Sequence, residues 1–509
     1  MEYAIGPLRR YRGNTTWAAA LPAALLMAFG GLLAGAHVSP SAAAGPPNIV
    51  FLLADDLDER VASGMPRLQE LAQSGTRFSK FYVTTPICVP SRATILTGKY
   101  AQNTNVRRNT PPFGGYQTFF QDGLEGRTIA VALQQAGYRT GFVGKYFNGY
   151  PAPAAPNHVP PGWDYWVSAP QGDNNIHLKT NYFLNENGAI VSYGNRPEDY
   201  VVDVYARKAL EFVNSSADQG RPFALFLWLP PPHTPERPAP RHADAAVAPE
   251  LPRTPAYPET SVADKPRHMR LQPKSTTVLQ QQDRRYRLRQ QMVLSVDDAL
   301  GSLRALLGQR GLLENTYVVF SSDNGWHHGE HNLPPYKGTG YEEDIRVPLV
   351  VAGPGVPAGR EITRMVGNAD LAPTFAAWTG APLAPDADGR SLVGLLTSPS
   401  PDLFPWRGLL PIARLGDGVD PATTWPLYTP RPGVTVGYRC LSQVPRWPIP
   451  SDHTNRLPEW RGVRTDRYTY VQHVSGDREL YDSVTEPYQA NNQICSAPAD
   501  LRDGLQWLT

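Results

Sequence analysis

The chain has 509 residues, 41% of them hydrophobic and 18% charged, and its 48 basic and 46 acidic residues leave a formal net charge of +2. That length allows one large domain with a smaller one appended, or two domains, and a substantial core. Near-balanced charge excludes a global field for nucleic acid or for an anionic membrane surface, so any preference for anions must be local.

The N-terminus carries Arg9, Arg10 and Arg12, then an apolar stretch over residues 17–36, then Ser41-Ala42-Ala43-Ala44. A basic flank, an apolar segment and a small-residue ending predict a signal peptide over residues 1–44, cut after Ala44, and hence an exported protein. The stretch is also long enough for a retained membrane anchor; no later segment is. Residues 48–54 form a continuous apolar run ending in Asp55-Asp56, the pattern of a strand buried on both faces of a parallel sheet. Residues 65–75 read as a helix stopped by Gly75. Cys88-Val89-Pro90-Ser91-Arg92 follows and continues to Thr97-Gly98. Pro90 and Ser91 suit a helix start, so the expectation is a loop-to-helix junction with Cys88 at its N-terminal end. A helix N-terminus together with Arg92 favours anionic groups.

Residues 127–137 form another predicted helix, leading into a strand over residues 138–146 that places Lys145 at its end. Strand, helix, strand predicts an α/β sandwich with helices on both faces. In such sheets ligands gather at the carboxyl ends of the strands. Residues 150–199, rich in Pro, Gly, Asn and aromatics, read as a long ordered loop region whose aromatics could stack on sugar rings or fill a loop core. The apolar run over residues 223–229 is a buried strand that delivers His233 into a Pro-rich stretch lacking regular structure to about Pro266. Residues 265–289 hold eight Lys or Arg against one Asp, read as a solvated helix face, with an anionic-polymer site as the sharper alternative. A helix containing Asp297 and Leu307 then leads to a strand over residues 316–320, which ends in Ser321-Ser322-Asp323-Asn324-Gly325. A further strand at 347–355 and a helix at 370–379 complete a catalytic domain placed at 45–396. Beyond it, a hairpin over residues 460–471 and a strand over 479–482 predict a smaller antiparallel α+β subdomain at 397–509.

Strand ends thus supply Asp55, Asp56, Asp323 and Asn324. Adjacent carboxylates repel unless a cation lies between them, and four hard oxygen ligands suit Ca²⁺ or Mg²⁺. His327, His328 and His331 have a zinc-like spacing around Glu330, but the oxygen-rich neighbourhood favours a substrate-lining role for one of them over zinc. Of three cysteines, Cys88, Cys440 and Cys495, an odd count in an exported chain suits a Cys440–Cys495 disulfide with Cys88 left over.

The run Cys-x-Pro-Ser-Arg-x-x-x-Leu-Thr-Gly resembles the signature of the type I sulfatases at every defined position. The resemblance extends from Asn48 to about Asn492, with residues 368–374 and 388–392 as further family-like blocks. It implies an alkaline-phosphatase-like α/β fold. It also implies that a formylglycine-generating enzyme oxidises Cys88 to Cα-formylglycine, whose hydrate is the nucleophile. One divalent cation, usually Ca²⁺, would be held by Asp55, Asp56, Asp323, Asn324 and the modified Cys88. Arg92 would steady the hydrate, and Lys145, His233 and Lys337 would take the sulfate and leaving-group positions, with His233 as general acid and Asp323 a candidate base. Gly144-Lys145-Tyr146-Phe147-Asn148 is similar to the N-acetylglucosamine-6-sulfatase branch, with Asn148 where many sulfatases place a histidine. Asn148 can hydrogen-bond to substrate oxygens but cannot act as acid or base near neutral pH. The activity implied is hydrolysis of a sulfate ester on a sugar or aryl group. The alternatives are a phosphate or phosphonate ester hydrolase on the same fold, or an inactive protein that binds sulfated glycans.

Overall fold

The computed structural model describes residues 45–170, 175–266, 269–270, 274–416 and 459–509. Its strands are Asn48–Asp55 (β1), Thr76–Phe78 (β2), Phe81–Tyr82 (β3), Arg139–Gly144 (β4), Tyr165–Ser168 (β5), Tyr182–Glu186 (β6), Ala189–Tyr193 (β7), Phe223–Pro232 (β8), Thr316–Ser322 (β9), Leu349–Ala352 (β10), Arg360–Ile362 (β11), Val366–Gly367 (β12), Leu409–Arg414 (β13), Trp460–Thr465 (β14), Tyr468–His473 (β15) and Arg478–Asp482 (β16). The main helices are Pro66–Gln73 (α1), Cys88–Thr97 (α2), Ile129–Gln135 (α3), Val201–Asp218 (α4), Thr276–Gln309 (α5), Leu371–Thr379 (α6) and Ala499–Trp507 (α7).

A ten-stranded sheet runs β11-β2-β10-β9-β1-β8-β4-β5-β6-β7. Its centre, β9-β1-β8-β4-β5, is parallel, while β10, β6 and β7 join antiparallel. Every residue of β1 and β8 is buried, as parallel strands between two helical layers must be. Alternation divides β1 between two cores. Ile49, Phe51 and Leu53 pack with Ile95 of α2, Leu133 of α3 and Phe375 of α6. Val50, Leu52 and Ala54 pack with Leu71 of α1, Phe212 of α4 and Leu300 of α5. Each fully buried Val, Leu, Ile or Phe contributes roughly 1.5–3 kcal/mol, so a one-residue slip of β1 would exchange both sets of contacts and is strongly disfavoured.

A separate antiparallel sheet, β13-β14-β15-β16, lies near the C-terminus, with Leu505 of α7 packed on Val463, Tyr470 and Leu480. The fold is therefore the alkaline-phosphatase-like mixed α/β sheet with a smaller antiparallel sheet that the sequence implied.

Two expectations are corrected. Residues 150–199 are not only loop: they contain β5, β6 and β7, the last two joined through Asn187 (φ 52°) and Gly188 (φ 93°), a hairpin turn of the kind Asn-Gly favours. Their aromatics fill core, since Tyr150 and Trp166 are fully buried and Trp166 stacks on Phe142 at 4.7 Å. The basic stretch is not one solvated face. Lys265 is buried and donates to the carbonyls of Gln489 and Ala490 at 2.7 and 2.8 Å. Arg289 is buried too and donates to Pro232 O at 2.9 Å. The expected signal peptide at 1–44 and Cys440 of the expected Cys440–Cys495 pair lie outside the described residues. Among the described residues no helix is long and apolar enough to cross a membrane.

Candidate active site

Four neighbouring strand ends build the site. β1 pairs with β8 and β9, and the register slips between Ala54 and Asp55, where Asp55 meets Pro232. That irregularity turns the chain outward at Asp56, whose φ of 68° lies in the left-handed region that Asp tolerates better than most residues. The Asp56 amide donates to Asp323 Oδ1 at 3.1 Å, tying the end of β1 to the residue after β9. β4 ends at Gly144 with φ 137°, and a Cβ there would sit 1.9 Å from the Trp228 carbonyl. Only glycine lets β4 lie this close to β8 and place Lys145. The helix α2 starts at Cys88, two residues before the expected Pro90, and all ten of its residues are buried. Its first turn is fixed from outside: Asn109 Oδ1 accepts from the Val89 amide at 2.9 Å, and Asn368 Nδ2 donates to Ser91 Oγ at 3.0 Å.

Cys88 Sγ lies 2.8 Å from Lys337 Nζ and 3.5 Å from Asp55 Oδ1. Lys145 forms an ion pair with Asp55, and Lys337 one with Asp56. Asn324 donates to Asp56 Oδ1 at 2.7 Å, and its Oδ1 is 3.4 Å from Lys337 Nζ. Arg92, with no exposed surface, donates from Nε to Asp323 Oδ2 at 2.8 Å and approaches Asp55 Oδ2 at 3.5 Å. Its other terminal nitrogen donates to the carbonyls of Lys145 and Tyr146. His233 Nδ1 meets the Thr234 carbonyl at 2.6 Å. A carbonyl only accepts, so Nδ1 carries the hydrogen. Nε2, 3.9 Å from Asp56 Oδ2, is the nitrogen turned to the cluster.

Charge follows from this packing. Burial works against the ionised Asp55, but Lys145, then His233, Arg92 and Lys337, outweigh it and hold the carboxyl well below its usual range. Asp323 behaves oppositely: burial and then the Asp55 charge push it up to about 6. Burial, followed by Lys145, pushes His233 down to about 4. Burial and then Asp55 push the Cys88 thiol up to about 12. Among these side chains Cys88 is a protonated thiol at neutral pH, and a thiol is a weak nucleophile.

Carboxylate oxygens of Asp55, Asp56 and Asp323 come within 4.8 Å of one another, and Asp56 Oδ2 is buried without a hydrogen-bond partner. Three converging carboxylates with an unmatched oxygen fit a hard divalent cation. The histidine trio does not fit zinc or line substrate. His327, His328 and His331 are buried and bond to separate partners, Asp344, Asp58 and Glu259, at 2.9, 3.0 and 2.8 Å.

Seven of the expected residues therefore converge on Cys88: Asp55, Asp56, Arg92, Lys145, Asp323, Asn324 and Lys337. His233 stands at their edge. Arg92 is brought there but in another position, on the carboxylates rather than on the cysteine. Asn148 is half-buried with its Oδ1 enclosed and unpartnered, and among the described residues no hydrogen bond joins it to Lys145 or His233. Two neighbours escaped the sequence reading. His177 stacks on the His233 ring, and buried Lys179 holds the His233 carbonyl, its ammonium pushed down to about 7 by burial. Both lie in the stretch read as loop, and no spacing there singles them out.

The family model for sulfatases matches residues 47–381. The chain belongs to the sulfatase family. It is 36% identical over 410 residues to the human N-acetylglucosamine-6-sulfatase, covering 78% of this chain and 72% of that one. An extracellular sulfatase homologue of Caenorhabditis elegans is 35% identical over 380 residues, 72% of this sulfatase, which spans about half (52%) of the worm protein. A solved structure in complex with its substrate D-glucosamine-2-N,6-O-disulfate superposes with a TM-score of 0.69 at 23% identity, covering 91% of this chain and 96% of that one. At that identity it shows the shared fold.

Proposed function

We propose that this sulfatase releases inorganic sulfate from a sulfated sugar, with the 6-sulfate of a glucosamine unit as the first candidate. The observation that carries this reading is Cys88 at the first residue of a buried helix, touching Lys337 beside three converging carboxylates. A cysteine held as a protonated thiol in this cluster makes chemical sense as the precursor of another group. The formylglycine made from Cys88 would supply a hydrate oxygen as nucleophile, and a divalent cation, Ca²⁺ by preference, would supply the charge that favours its ionised form.

Asp55, Asp56, Asp323 and Asn324 would hold the cation. Lys145 and Lys337 are the ammonium groups nearest Cys88, and they would take up charge on the sulfate oxygens. A bound sulfate ester would bring negative charge that offsets the burial and the Lys145 charge holding His233 down at about 4, so that Nε2 gains a proton and passes it to the bridging oxygen as the S–O bond breaks, where negative charge develops. Asp323 is the candidate base. Arg92 would hold Asp55 and Asp323 in place. Asn148 remains a candidate substrate contact. A formylglycine-generating enzyme is the maturation partner this reading requires. The names of the human and nematode relatives support the sugar and the export, and the leader-like N-terminus agrees with the latter.

Three measurements test the reading. Sulfate release across a panel of defined sulfated sugars should favour the 6-sulfated glucosamine, and 4-nitrophenyl sulfate should turn over faster than its phosphate counterpart. Faster phosphate turnover would move the chain to the phosphate or phosphonate alternative; binding without release would make it a glycan-binding protein. Mass analysis of the Cys88 peptide from active enzyme should show the aldehyde, and unmodified thiol alone would refute the nucleophile.

A further inference from the structure

Two side chains from the segment between β5 and β6 meet the His233 loop. His177 lies in the one-turn helix Asn175–Leu178, and its ring stacks on His233 at 4.6 Å between centroids and 30° between planes. Its Nδ1 is enclosed and has no hydrogen-bond partner, so the stack and the backbone locate this ring. Lys179 grips that backbone. From a side chain with no exposed surface, its Nζ donates to the carbonyls of His177, His233 and Pro235, each at 2.8 Å. An ammonium has three N–H donors, and these three carbonyls use all of them. Lys179 itself sits at φ 64°, a state that a residue with a side chain adopts only where its surroundings hold it.

The grip bears on the acid assigned to the site. His233 Nδ1 is anchored only to the carbonyl of the next residue, a bond that moves with the loop. It fixes the ring relative to Thr234 and does nothing to fix Thr234 relative to the sheet. The His233 amide gives one tie to the sheet, donating to Pro230 O of β8 at 3.0 Å; Lys179 adds a second by joining the loop to another segment, and His177 closes one face of the imidazole.

We propose that Lys179 and His177 are positioning residues that aim His233 Nε2 at the bridging oxygen of the sulfate ester. The proposal rests on the sulfatase reading above. An aimed acid matters in proportion to how badly the leaving group needs a proton. A sugar alcohol departs as a strong base and needs one; a nitrophenolate departs without it. A loop that merely folds worse would slow both esters alike.

The test uses full-length, formylglycine-bearing enzyme on glucosamine 6-sulfate and on 4-nitrophenyl sulfate, with His233→Ala as the benchmark. His177→Ala and Lys179→Met should each lower kcat on the sugar sulfate about 10- to 100-fold, a part of the roughly 10²–10⁴ that general acid catalysis supplies. The nitrophenyl ester should lose less than about threefold and KM should change little, the same selectivity as His233→Ala. Equal losses on both esters, losses confined to KM, or no loss would overturn the brace. Should buried Lys179→Met fail to fold, half-exposed His177→Ala decides alone. If the parent enzyme releases sulfate from neither ester, the sulfatase reading itself fails; selective activity in the parent with unselective losses in the variants removes the brace and leaves that reading standing.

Discussion

Arg92 has no contact with bulk water, yet its guanidinium serves Asp323, Asp55 and two backbone carbonyls at once. Removing one partner of a buried ion pair costs about 3–5 kcal/mol, because the other charge stays buried and uncompensated. Arg92→Ala should therefore lose about that much stability in urea denaturation of chelator-treated protein. Arg92→Lys should recover less than half, since a point-like ammonium cannot reproduce the planar fork. A loss below about 1 kcal/mol would contradict the pairing. The orphan Asp56 Oδ2 argues for a cation at the same residues. Ca²⁺ at 100 times its Kd should add about 2.7 kcal/mol of stability by mass action. Asp56→Asn should abolish the gain, and an equal gain in that variant would place the ion elsewhere. At this scale the sequence is readable where chemistry is written in spacing: a cysteine before Pro-Ser-Arg, or carboxylates ending an apolar run. It is silent on where a long side chain ends. The sequence places Arg92 toward the cysteine, but the chain after β4 offers its guanidinium two carbonyls, and the ends of β1 and β9 offer two carboxylates. His177 and Lys179 stay hidden because their partners, the His233 ring for one and three backbone carbonyls for the other, are brought close only by the fold.

The elements show the same division. β1, β8 and β9 are continuous apolar runs buried on both faces, and such runs identify themselves. β7 is the edge strand and β6 its neighbour, both with exposed positions such as Phe183 and Ile190, so their pattern is diluted by solvent-facing residues and reads as loop. The Asn187-Gly188 turn was the available sign of a hairpin. The tightest constraint among the elements is Gly144. Its φ of 137° and the 1.9 Å gap from a Cβ to the Trp228 carbonyl mean that Gly144→Ala must push β4 away from β8. Lys145 is the next residue and its amide donates to that same carbonyl at 2.9 Å. Gly144→Ala is expected to lower kcat at least about tenfold, in line with the large cost of small misplacements. Thermal unfolding should also shift downward by several degrees, and unchanged kinetics would show that Lys145 does not depend on this register.

At the scale of the molecule, the smaller sheet stands behind a loop of the site. Trp460 Nε1 donates to Gly338 O at 2.9 Å, one residue from Lys337, and Tyr82, Ile345 and Met365 pack on Leu410, Ile412, Trp460 and Val471. Glu479 holds the polar side of this junction. It accepts from the hydroxyls of Tyr341 and Tyr481, each at 2.7 Å, and pairs with His473 at 2.7 Å. Burial alone would raise its carboxyl. The hydrogen bond and charge of His473, then the bonds from Tyr481 and Tyr341, instead lower it to about 2. A free Glu titrates near 4.3, so the folded state binds this proton less tightly than the unfolded one. Stability from Glu479 is thus fully present above about pH 4.3 and is lost as pH falls toward 2, roughly 3 kcal/mol across the window. Urea unfolding at stepped pH should show that loss in the parent protein. Glu479→Gln should start lower at pH 7 and fall less steeply through the same window. It should also lower kcat, because Tyr341 lies four residues beyond Lys337 and loses its anchor. Parallel pH curves for the two proteins would mean that Glu479 is not the group titrating. A full kcat in the variant would free Lys337 from any dependence on the smaller sheet.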